Sequence, residues 1–155
     1  MSKFAPSWRR SGQLHAILIG RGGNAAAEFA LVLPLFSLVL LGIIKFGLVL
    51  NNKIELSAGA QAGARIFTIS RGSATPWTDA MVAFNNATAN LQAPNITVYV
   101  NGAPCSGDAA CQAALSAAAG QTVSVTASAP CDLQVLTLNF APDCLLRAQT
   151  TGRVE

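Results

Sequence analysis

The longest apolar run in the chain covers residues 29–50, FALVLPLFSLVLLGIIKFGLVL, and Lys45 is its one charged residue. As a helix rising about 1.5 Å per residue, these roughly 22 residues reach about 33 Å. That matches a bilayer hydrocarbon core of about 30 Å with slight tilt. A core helix of a soluble domain seldom lacks a polar face over such a length, so a membrane span is expected. Pro34 should kink or locally unwind it, because proline has no N–H to give to the helical ladder. The freed carbonyl would then need a neighbouring helix, Ser37 or water. Gly42 and Gly47, with Ser37 opposite, offer small surfaces for close helix packing. Lys45 lies toward the far end, where its stem can snorkel to the interface.

The helical period continues into residues 51–70, NNKIELSAGAQAGARIFTIS. Ile54, Ala58, Ala62, Ile66 and Ile69 fall near one stripe, which should pack on the sheet that follows. Alanine favours the helix, while Gly59 and Gly63 weaken it. One long helix over residues 24–70 is therefore expected, broken by Arg71-Gly72-Ser73-Ala74-Thr75-Pro76. Residues 77–91 predict a second helix, with Thr75 or Thr78 as its cap and Pro94 as its stop. Residues 95–100 alternate with β-branched side chains and predict a strand closed by Asn101-Gly102. That dipeptide suggests a tight hairpin, but no second strand is expected directly after it. A short alanine-rich helix over 108–119 and a strand over 121–129 follow. Residues 131–142 form a loop with an apolar patch of Leu133, Val135, Leu136, Leu138 and Phe140. Residues 145–154 make a closing strand, antiparallel to 121–129. The fold class is α+β: a long N-terminal helix, part transmembrane and part outside, packed on a small antiparallel sheet with short helices and disulfides.

Charge and cysteine placement orient this layout. Only 11% of residues are charged, against about 25% in ordinary soluble domains. The net charge of +3 is uneven. Residues 1–23 hold Lys3, Arg9, Arg10 and Arg21 and no acid, so they read as a basic leader that sets a cytoplasmic N-terminus by the positive-inside rule, not as a nucleic-acid patch. Ser7-Trp8-Arg9-Arg10-Ser11 carries a twin arginine, but too far ahead of the apolar run for a convincing export signal. Cys105, Cys111, Cys131 and Cys144 all lie beyond the span. Four cysteines on one side indicate disulfides in an oxidising compartment. Three pairings are open, and local loop closure favours Cys105–Cys111 and Cys131–Cys144. No metal is expected, since the spacing is not that of a zinc site and the one histidine, His15, precedes the span. The exported residues 71–155 are few enough to need such staples.

The entrance to the span carries the sharpest motif. Gly22-Gly23 precede Asn24-Ala25-Ala26-Ala27 and then Glu28-Phe29. A glycine pair is flexible and accessible backbone. Glu28, taken as first-turn, would be favoured there by the helix macrodipole. Gly23, four residues, then Glu28-Phe29 resembles the cleavage motif of type IV prepilin peptidases, with the cut between Gly23 and Asn24. The wider pattern is Arg21 through Pro34 as written above, then Gly42-Ile43-Ile44-Lys45-Phe46-Gly47 and Ala60-Gln61-Ala62-Gly63-Ala64-Arg65. It resembles the TadE-like family, pseudopilins or minor pilins of the tight-adherence (Tad, or Flp) type IV pilus. Residues 148–155 are similar to that family's closing strand. Lys45 departs from it, standing where many relatives carry an acid, and residues 73–121 match no known pattern. The resemblance implies pilus assembly for adhesion after cleavage. It implies as partners the membrane, a prepilin peptidase, other pilin subunits and the Tad inner-membrane machinery. It also implies a bacterial inner-membrane protein with its C-terminal domain outside.

Enzyme chemistry is not expected. Beyond the span there is no histidine, and the six acids, Glu55, Asp79, Asp108, Asp132, Asp143 and Glu155, are scattered, with no phosphate loop or nucleophile elbow. No cofactor or small-molecule substrate follows. The triplets at Asn86 and Asn95 match glycosylation sequons and are incidental. Two other readings remain: a single-pass anchored binding module that is never processed, and a secreted protein cut near Ala58-Gly59-Ala60. The second would need an h-region longer than ordinary signal peptides use.

Overall fold

A computed structural model describes residues 23–135 and 137–155. Of the expected leader, residues 1–23, positions 1–22 lie outside the described residues, as does Leu136 of the apolar patch. The chain divides into two compact units whose boundary falls between Leu41 and Gly42. Helix α1 spans Gly23–Ile69, 47 residues. It stays helical through Pro34, so no turn is unwound there. In the first unit the described side chains of α1 are exposed throughout, apart from half-buried Ser37.

The second unit is an antiparallel sheet with helices on one face. After α1 come α2 (Pro76–Ala87), β1 (Asn95–Val100), β2 (Ala103–Cys105), α3 (Asp108–Ser116), β3 (Thr122–Pro130), β4 (Gln134–Val135), β5 (Leu138–Asn139) and β6 (Leu145–Arg153). The main sheet has the order β2-β1-β3-β6, and β4–β5 is a separate two-stranded ribbon. Strand β6 pairs antiparallel with β3 from Thr122↔Arg153 to Pro130↔Leu145. Alternation does the sorting: Ile96, Val98 and Val100 of β1 and Val123, Val125, Ala127 and Ala129 of β3 face inward, while Thr97, Tyr99, Ser124 and Thr126 take the outer face.

Three expectations are corrected. The hairpin signal at Asn101-Gly102 is real. Both residues have positive φ, 49° and 81°, the backbone a two-residue I′ turn requires, and β2 follows at once with Val100↔Ala103. Its Pro104 does not disrupt the sheet because β2 is an edge strand. Helix α2 ends at Ala87, well before Pro94. The buried Thr88 follows as the C-cap residue, its hydroxyl donating to the Phe84 carbonyl at 2.8 Å. The loop over 131–142 holds the β4–β5 ribbon, with Val135↔Leu138 in register.

The fourth correction concerns the face of α1. The stripe of Ile54, Ala58, Ala62, Ile66 and Ile69 is not the packing face: Ile54 is 67% and Ile69 56% exposed. The buried face is Leu56, Gly59, Ala60, Gly63, Ala64 and Phe67. Smallness selects it. A Cβ on Gly59 would stand 2.4 Å from Thr88 Cγ2 and 3.1 Å from the Phe84 ring, and one on Gly63 would stand 3.1 Å from Ile96 Cδ1. These two glycines let α2 and β1 approach the α1 backbone. Gly152 of β6 does the same at the end of the helix, where an added Cβ would meet Thr68 Cγ2 at 2.8 Å.

Candidate functional site

The prominent chemical anomaly is apolar surface without a cover. Phe29, Leu31, Val32, Leu35 and Phe36 in the first unit are 58–82% exposed. Ile43, Ile44, Phe46, Leu48 and Leu50 in the second are 48–63% exposed. Residues Ala25–Ile69 are the one helical stretch, among the described residues, long and apolar enough to cross a membrane. Isolated exposed leucines are ordinary, but a contiguous run of this size marks a membrane or protein contact.

The entrance residues fall at the start of this run. Gly23 and Asn24 are the first two residues of α1. Glu28 is exposed and lies beyond the first turn, which holds no acid. The macrodipole acts within the first turn and fades beyond it. Phe29 beside Glu28 is 65% exposed. Pro34 sits inside α1, where its ring withholds the bond that Ala30 would otherwise accept. Gly42 and Gly47 face open space: an added Cβ would meet nothing within 4 Å.

The cysteines are brought together in two local pairs, Cys105–Cys111 and Cys131–Cys144, each with Cα atoms 5.2 Å apart. The first ties β2 to α3 and the second closes the loop that bears β4–β5. With both pairs formed no cysteine is free. Among the described residues no group of three or more His, Cys, Asp or Glu side chains could hold a metal.

Sequence reasoning missed two polar ties. Asp108, the first residue of α3, caps α2 from outside: its carboxylate accepts from the Thr78 N–H at 2.9 Å and the Thr78 hydroxyl at 2.7 Å. Thr75 stands at the N-cap position without capping by its side chain. The Thr78 hydroxyl, then its N–H, hold the Asp108 carboxyl below the usual carboxylate range. The second tie is Lys45 to Asp132, 3.2 Å. A cation inside an apolar helix is a prompt to look for a partner, and that was the available signal. The Asp132 carboxyl also accepts from the Gln134 N–H at 2.9 Å. That bond first, and Lys45 second, lower its pKa. Lys53 makes a further bond, donating to the Arg147 carbonyl of β6.

Comparison with known proteins agrees with the entrance and the helix. Residues 23–65 match the family described as TadE-like protein, the family that the residues before Arg65 resemble. The match begins at Gly23 and ends inside α1, so α2, α3 and every strand lie outside it. No curated protein and no solved structure matches the chain.

Proposed function

We propose that this protein is a minor pilin or pseudopilin that takes part in assembling a Tad-type pilus. The observation that carries the reading is the uncovered apolar half of α1 standing directly behind Gly23 and Glu28, inside the TadE-like match. Residues 1–23 are the basic cytoplasmic leader, about 29–50 the inner-membrane span, and 71–155 the exported domain. The two disulfides suit an oxidising compartment beyond that membrane.

The mechanism follows from the chemistry of the helix. A prepilin peptidase cuts after Gly23 and leaves an amine on Asn24. Lipid holds the apolar side chains until the subunit is extracted, when equivalent helices of pilin partners replace lipid as their cover. Gly42 and Gly47 give those helices backbone-close contact surfaces, and neighbouring helices can satisfy the carbonyl left free by Pro34. Glu28 pairs with the new amine of an adjacent subunit; in a dry core the attraction is strong but desolvation offsets much of it, so the pair serves register more than bulk stability.

N-terminal sequencing of the protein purified from cells with an active prepilin peptidase should begin at Asn24. A retained leader overturns the proposal and leaves a tethered binding module. A start near Gln61 indicates ordinary secretion. Glu28→Ala should leave cleavage intact and impair piliation, whereas replacing Gly23 with a bulkier residue should leave the precursor uncut.

A further inference from the structure

The loop closed by Cys131–Cys144 exposes apolar side chains that the pilus reading does not use. Leu138 is 59%, Phe140 64% and Leu145 49% exposed, although Val135 of the same ribbon is buried. From Leu133 to Pro142 the sequence LQVLTLNFAP has no charge. One bond ties the loop to α1. Asp132 pairs with Lys45 at 3.2 Å, and Lys45 lies five residues before Leu50, where the apolar run ends. At about 1.5 Å per residue, that is about 7.5 Å inside the end of the run. The Phe140 N–H donates to the Leu133 carbonyl, so Phe140 runs beside the neighbour of Asp132.

From this placement we propose that the β4–β5 ribbon is a second membrane contact. Leu138 and Phe140 insert into the boundary between headgroups and acyl chains of the bilayer that α1 crosses. The occupant is lipid because the patch adjoins a span that itself needs lipid. An uncharged apolar loop gains from burial at that boundary. The Lys45–Asp132 pair holds the ribbon at this depth, and the Asp132 acceptor for Gln134 shapes the turn that leads into it. The contact fixes the exported domain against the membrane before any extraction. The proposal rests on the reading of α1 as a span.

The test uses the full-length protein in phosphatidylcholine vesicles whose lipids carry bromine either high on the acyl chain or deep in it. A Phe140→Trp probe is compared with the parent, which contains Trp8 and Trp77. Its added emission should be blue-shifted and quenched more by the shallow bromines than by the deep ones. Leu138→Trp should behave alike, and it guards against a local fault at Phe140. Adding Asp132→Asn, which keeps an acceptor for Gln134 but removes the charge, should weaken the quenching of either probe. A Phe46→Trp probe reports the span separately. If that probe is quenched while the ribbon probes are not, the ribbon inference fails and the span stands. If none is quenched, the span reading fails first. A blue shift without quenching means that a protein surface covers the patch, and this too overturns the inference.

Discussion

Helix α1 uses glycine in two opposite ways. Gly42 and Gly47 stand among large exposed side chains and face nothing within 4 Å. Gly59 and Gly63 stand among alanines and are pressed by Thr88, Phe84 and Ile96. In the later stretch the partner is supplied by the chain itself, through α2 and β1. In the earlier one no described part of the chain supplies it. A small-residue surface on a helix is only half of a contact. Where the fold completes the contact, it stabilises the domain. Where it does not, lipid or another subunit must.

The completed contact should show the largest mutational effect. Phe84 is fully buried between α1 and the rest of the core, so Phe84→Ala should lower stability by about 3–5 kcal/mol. Thermal or denaturant unfolding of the detergent-purified protein measures this, and a loss much below that range would mean that the α1–α2 seam contributes little. Next comes the matched pair Gly59→Val and Gly47→Val. The first drives a side chain into Thr88 and Phe84 and should lose about 2–3 kcal/mol by overpacking. The second meets open space and should leave monomer unfolding unchanged, while impairing piliation if that face later receives another helix.

A gentler probe is Gly63→Ala. Its Cβ would come within 3.1 Å of Ile96 Cδ1, the mobile end of that side chain. The gain of about 1 kcal/mol in helix propensity should nearly balance the displacement, so the unfolding midpoint should stay close to that of the parent. A large loss would show the β1 contact to be as rigid as the α2 one.

The smallest effect concerns the cap that ties α2 to α3. Asp108 has its folded pKa depressed, by the Thr78 hydroxyl first. A depressed folded pKa contributes stability that is present above the unfolded value, about 3.9, and lost as pH falls through the lower folded value. Thr78→Val should raise the Asp108 titration midpoint toward the ordinary carboxylate range, as followed by NMR, and flatten the acid side of the stability profile. An unmoved midpoint would assign the depression to the backbone N–H groups of Thr78 and Trp77.

Much of this architecture was open to inspection of the chain. The apolar run, the continuation of α1, β1, β3, β6 and the α+β class follow from periodicity, which is local and survives without a partner. The TadE-like signature around Gly23, Glu28 and Phe29 is also local. The hairpin after Asn101-Gly102 was legible from the turn residues, but the short β2 that follows is mostly exposed and carries no alternating pattern of its own.

What sequence alone determined, then, is the set of elements and the presence of a helix too apolar to be left in water. Tertiary structure decided which side of that helix is covered, because Gly59 and Gly63 attract no attention as hydrophobes and matter only once Thr88 and Phe84 lie against them. It also decided the partners of Lys45 and Thr78, whose acids lie 87 and 30 residues away. Periodicity reports each element's own rotation and length. Contacts between distant elements depend on how closely two backbones can approach, and only the folded chain sets that distance.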